Sequence, residues 1–193
     1  MMYDLLRFLH IITAVFMSVP LYNLIVVNER GRMGRDVPTD VDKYFENIIR
    51  GGAGRCFVFQ MTVFITGILL LILGSLGITA LWTDLIIGLK ILLLIALTFL
   101  LAHVNFNIQP KIDGALKGIL GPRLPDDILT EIGPLRSTRK KMAAFCLYLL
   151  ISEIILGAQV YSRFGLALTV ALFIVGALFS WHAYRSRLRF GWI

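Results

Sequence analysis

The chain has 193 residues, 58% of them apolar and 16% charged, with a formal net charge of +7. Soluble domains carry about a quarter charged residues, so a soluble globular fold is excluded and an integral membrane protein is expected. The positive balance reads as a topology signal and an attraction for anionic lipid headgroups on the cytoplasmic side, and no nucleic-acid partner is expected.

A helix needs roughly 20 apolar residues to cross a hydrocarbon layer of about 30 Å. Five stretches qualify: Tyr3 to Val27, Cys56 to Leu81, Leu85 to Ile108, Ala143 to Tyr161 and Phe164 to Ala183. Their leucine and isoleucine runs lack strict alternation, so helices are expected rather than barrel strands. The fold class is therefore an all-α membrane bundle of five transmembrane helices, one membrane domain over 1–193, with a short amphipathic cytoplasmic helix.

In chain order, the first stretch carries His10 and ends without a small-x-small cleavage site. Its positive charges follow the apolar run, so it reads as an anchor and not a cleavable signal. The connection after it holds Arg30, Arg32 and Arg35 and then "PTDVDKYFENIIRGG". Thr39 is the expected N-cap there, and Val41, Tyr44, Phe45, Ile48 and Ile49 recur at helical spacing before Gly51 and Gly52. This short helix is expected in the headgroup layer or packed on the inner end of the bundle. The segment "KIDGALKGILGPRLPDDILTEIGPLRSTRKK" mixes glycine, proline and charge, and reads as loop with one short helix near Asp126 to Ile132.

Sixteen of the 19 lysines and arginines fall on one set of connections and the tail, with Arg7 and Arg163 on the other side. The N-terminus is expected outside and the C-terminus inside a bacterial cytoplasmic (inner) membrane. Cys56 and Cys146 belong to no CxxC pattern and sit where the compartment is reducing, so they read as small apolar filler. Beyond the bilayer, the partners left open are a second copy of the chain and a larger membrane complex.

Phosphate-cradling loops and nucleophile motifs are absent, which leaves any chemistry to ionisable residues within the spans. These are His10, Lys90, His103, Glu153 and His182. From the expected outer ends, His10 lies seven residues from Tyr3, Lys90 five from Leu85 and Glu153 eight from Tyr161. All three therefore share a layer about 8 to 12 Å deep. Lys90 and Glu153 can be a structural ion pair or functional groups. His103 and His182 fall near the inner surface, where interfacial packing competes with ligation.

The stretches "LLRFLHIITAVFMSVPLYNL" and "LWTDLIIGLKILLLIALTFLLAH" resemble the HemJ-type membrane protoporphyrinogen oxidases and the related CopD-like copper-resistance membrane proteins. The resemblance rests on His10 after "LLRFL", and on Trp82, Lys90 and the closing His103, and it covers roughly the first 110 residues. The fifth helix and the long basic loops depart from that pattern, whose members are usually four-helix chains. The resemblance implies a haem-b-binding membrane oxidoreductase acting on a tetrapyrrole or quinone. In that reading His10 is the axial metal ligand, Lys90 pairs with a propionate or polarises a substrate, and Glu153 relays a proton. His103 and His182 offer a bis-histidine site at the inner layer. The alternatives are a CopD-like metal-handling transporter and a non-catalytic accessory subunit of a membrane complex.

Overall fold

The structure is a computed structural model that describes residues 1–28, 37–119 and 121–185. Among the described residues all regular secondary structure is helical, apart from one isolated bridge between Pro38 and Arg123. The helices are α1 (Met2–Asn28), α2 (Thr39–Leu73), α3 (Ala80–Thr83), α4 (Leu85–His103), α5 (Gln109–Leu116), α6 (Asp126–Tyr161) and α7 (Leu166–Arg185). A π-helical turn, Val104–Ile108, joins α4 to α5. Five helices are long and apolar enough to cross a membrane: α1, α2, α4 with its continuation, α6 and α7. Arg30, Arg32, Arg35, Arg187 and Arg189, which belong to the charge count above, lie outside the described residues.

Several expected boundaries are corrected. Residues 39–50 do not form a separate helix, because α2 runs unbroken for 35 residues, about 52 Å at the α-helical rise. The Gly51–Gly52 pair does not stop it. Gly52 is buried where α1 crosses, and a Cβ there would lie 3.6 Å from Pro20 Cβ. Close approach of the two helices thus outweighs the roughly 1 kcal/mol that glycine costs inside a helix. The buried face is also not the expected apolar one. Val41 and Tyr44 are exposed, while Thr39, Asp42, Glu46 and Ile49 point inward at three- and four-residue spacing. At its other end α2 stops at Leu73 rather than Leu81.

Asp84 then caps α4, its carboxylate accepting from the backbone N–H of Ile86 at 2.8 Å and of Ile87 at 3.2 Å. This satisfies two of the donors that a helix start leaves open. The third helical run continues past Ile108 to Leu116 through the π turn, just before Pro110, a residue that has no N–H to donate. The short helix expected near Asp126 to Ile132 does begin at Asp126, but it runs on without a loop into the fourth span as α6, 36 residues long with Pro134 inside it.

The principal core joins Met17, Leu21, Leu97, Leu147 and Leu150 from α1, α4 and α6, with the free, buried Cys56 and Cys146 among them. A second cluster, built on Ile108, Ile112, Leu116 and Ile132, closes one end of the bundle. Helix α7 packs on α6, and a Cβ on its Gly176 would meet Ile151 Cγ2 at 2.9 Å.

Candidate functional site

Four long helices line a half-open cavity of about 450 Å³, within the several-hundred-Å³ range of small-molecule and cofactor sites. Helix α1 contributes Tyr3, Arg7, His10, Ile11 and Ala14, which recur at three- and four-residue spacing along one face. Helix α4 contributes Ile87, Lys90, Ile91 and Leu94 in the same way, and α6 contributes Glu153, Gly157 and Tyr161. Helix α2 supplies Val63, Phe64 and Gly67. No residue of α7 lines it. The cavity is thus a product of the first four long helices, and the fifth stands outside it.

Three of the ionisable residues singled out by the sequence meet here. His10 is half-buried, and its Nδ1 lies 2.9 Å from Thr66 Oγ1 on α2. Gly67 makes room for the ring, since a Cβ there would lie 3.2 Å from His10 Cε1. The Lys90 ammonium rests against α6 at Gly157, where a Cβ would lie 3.1 Å from Nζ. Glu153 is one turn away along the same helix face, only 5% exposed, and its Oε1 has no hydrogen-bond partner. Lys90 and Glu153 line the same cavity with no direct ion pair between them. At the other side of Gly157, also one turn away, Tyr161 carries the Arg7 guanidinium over its ring at 3.8 Å. Along one face of α6 there lie in succession Arg7 of α1 over Tyr161, Lys90 of α4 at Gly157, and the helix's own Glu153.

His103 and His182 are not part of this cavity. Both are exposed, on α4 and α7, and His103 Nδ1 lies 3.2 Å from the side-chain amide of Asn107 on the following turn. Among the described residues no group of three or more His, Cys, Asp or Glu side chains gathers as a metal site. The cavity lining also contains no methionine and no cysteine.

A second buried polar constellation escaped the sequence reading. At the Glu46 end of the bundle, Arg139 of α6 is fully buried and grips Glu46 of α2 with both terminal nitrogens, NH1 to Oε2 at 2.6 Å and NH2 to Oε1 at 3.1 Å. Arg139 NH1 also donates to Gln109 Oε1 at 2.5 Å. Arg136 Nε donates to Glu46 Oε1 at 3.0 Å, and its NH2 pairs with Asp42. Gln109 Nε2 donates to Asp113 Oδ1 at 3.1 Å, and Asp113 pairs with Arg50 at 2.7 Å. Three arginines and three carboxylates balance one another across α2, α5 and α6, which makes this a structural clamp. Its sequence signal was the four-residue spacing of Asp42 and Glu46 against the three-residue spacing of Arg136 and Arg139.

No family model, curated protein or solved structure matches the chain.

Proposed function

We propose that the chain is a multi-pass membrane protein of the bacterial inner membrane, with the histidine cavity in its outer half, and that it acts as a haem-b-binding oxidoreductase on a tetrapyrrole or quinone. The observation that carries this reading is the convergence of His10, Lys90 and the partnerless Glu153 carboxyl on one apolar cavity. A buried polar atom left without a partner costs about 1 to 3 kcal/mol, and a ligand that satisfies it removes the cost.

The donor set fits haem b better than a bare ion. A protein-bound metal ion of the zinc type takes three or four protein ligands, whereas haem brings four nitrogens of its own and asks the protein for one or two. His10 is the single imidazole on this cavity and would hold the iron. Arg7 and Lys90 would receive propionates, and Glu153 would hold or pass a proton. When bound, the haem would supply one-electron chemistry. The copper-handling alternative draws less support, because soft metal ions favour thiolate and thioether ligands and the lining has neither.

A visible spectrum of detergent-purified protein, from cells supplied with a haem precursor, is the test. A Soret band that His10→Ala abolishes or shifts, with helix content unchanged, is the expected result. A wild type that carries no haem overturns the haem reading, and an unchanged spectrum in His10→Ala overturns the ligand assignment alone.

A further inference from the structure

The His10 ring is held by a hydroxyl whose own proton is already committed. Thr66 Oγ1 lies 2.6 Å from the Thr62 carbonyl oxygen and 3.2 Å from that of Val63, as well as 2.9 Å from His10 Nδ1. Carbonyl oxygens only accept, and a hydroxyl has one proton. If that proton pointed at Nδ1, the hydroxyl oxygen would face two carbonyl oxygens with no hydrogen between them, one at only 2.6 Å. The arrangement is satisfied when Thr66 donates to Thr62, one turn back along α2, and accepts from an Nδ1–H of His10.

A neutral imidazole carries one N–H, so the proton at Nδ1 leaves Nε2 with a lone pair. Among the described residues no side chain bonds Nε2, on a ring that lines the cavity and also meets the Val63 carbonyl of α2. We propose that Thr66 is a positioning residue that fixes His10 as the Nδ1–H tautomer, so that the histidine offers the cavity a lone pair and selects a ligand presenting a Lewis acid or a proton donor. The tautomer is the minority form of an unconstrained histidine ring, and here it is imposed by a neighbour on another helix. Gly67 belongs to the same device, since the absence of its side chain lets the ring settle against α2 where Thr66 can reach it. The inference rests on the histidine cavity as the ligand site, but not on haem as its occupant.

The test reads the proton directly. The full-length protein with His103→Gln and His182→Gln, labelled with ¹⁵N-histidine and held in detergent at mildly alkaline pH, leaves His10 as the single imidazole in the spectrum. The tautomer is read on protein free of haem, because an iron-bound Nε2 carries no proton and would hold Nδ1–H whatever Thr66 did. The expected spectrum shows a pyrrole-type Nδ1 and a pyridine-type Nε2. Thr66→Val should change the tautomer ratio toward Nε2–H by about five- to tenfold, the range that one neutral hydrogen bond supplies. Thr66→Ser, which keeps the hydroxyl, should restore the original ratio. An Nε2–H tautomer in the wild type overturns the proposal, as does a Thr66→Val spectrum that does not move. A haem-free wild type with the Nδ1–H tautomer sinks the haem reading and leaves this inference standing. A protein that takes up haem, but whose haem-free tautomer ignores Thr66, does the reverse.

Discussion

Lys90 and Glu153 face one cavity without touching, and this separates two kinds of buried charge. A carboxylate and an ammonium in direct contact, cut off from water, lose roughly 3 to 5 kcal/mol when one partner is removed. Here the Lys90 ammonium occupies the space that a Gly157 side chain would fill, and Glu153 keeps a partnerless oxygen. A double-mutant cycle with Lys90→Met and Glu153→Met should therefore return a coupling of about 1 kcal/mol or less, the low end for neighbours that share a site. Unfolding equilibria in mild detergent provide the measurement, and a coupling above about 3 kcal/mol would mean that the two side chains close into contact. The meeting of His10, Lys90 and Glu153 was legible in the sequence because ionisable residues stand out in apolar helices and their depth follows from counting. Thr66 was not legible. A threonine in a helix usually bonds its own preceding turn, and only the packing of α1 on α2 brings His10 to it.

At the level of helices, apolar length revealed all five long elements, while composition misjudged how far they extend. Gly51–Gly52 and Gly133–Pro134 read as interruptions because each disfavours a helix locally. Tertiary partners decided otherwise. Gly52 admits Pro20 of α1, and two residues past Pro134 the arginines of α6 begin to engage Asp42 and Glu46. The same pairing explains why the acidic residues of α2 turn inward while Val41 and Tyr44 turn out. Once Arg139 is buried, its charge requires Glu46 beside it, and this requirement outweighs the burial of two side chains of the apolar stripe. Arg139→Met should cost about 3 to 5 kcal/mol, because it leaves the Glu46 carboxylate buried with much of its pairing gone. Arg139→Lys should recover little, since an ammonium cannot reproduce the two-pronged grip. The double change Glu46→Leu with Arg139→Met should regain most of the loss, because no charge is then stranded. Thermal unfolding of the three variants in one detergent checks the order, and a double variant less stable than Arg139→Met would refute the clamp.

Over the whole molecule, the cavity and the clamp occupy opposite ends, Thr66 and Glu46 being separated along α2 by about 30 Å at the helical rise. That is close to the thickness of a bilayer's hydrocarbon core, so the two polar constellations would stand near opposite faces of the membrane. The clamp matters for orientation. Arg50, Arg136 and Arg139 belong to the basic end, yet each is paired with a carboxylate. Orientation follows lysine and arginine near the span ends rather than net charge, so these pairs do not cancel the signal. Even with those three set aside, Lys43, Arg55, Lys111, Lys117, Arg123, Lys140, Lys141 and Arg185 remain at that end, against Arg7 and Arg163 at the other. The expected topology therefore has the clamp inside and the histidine cavity toward the outside. Single cysteines placed at Arg163 and at Lys117, in a chain with Cys56→Ala and Cys146→Ala, read this out. An impermeant maleimide added to intact cells should modify position 163 and spare 117 until the membrane is opened. The reverse pattern would put the cavity on the cytoplasmic side. Removing both native cysteines leaves the readout clean, and their replacement by alanine in the core is a small loss of volume that the bundle should tolerate.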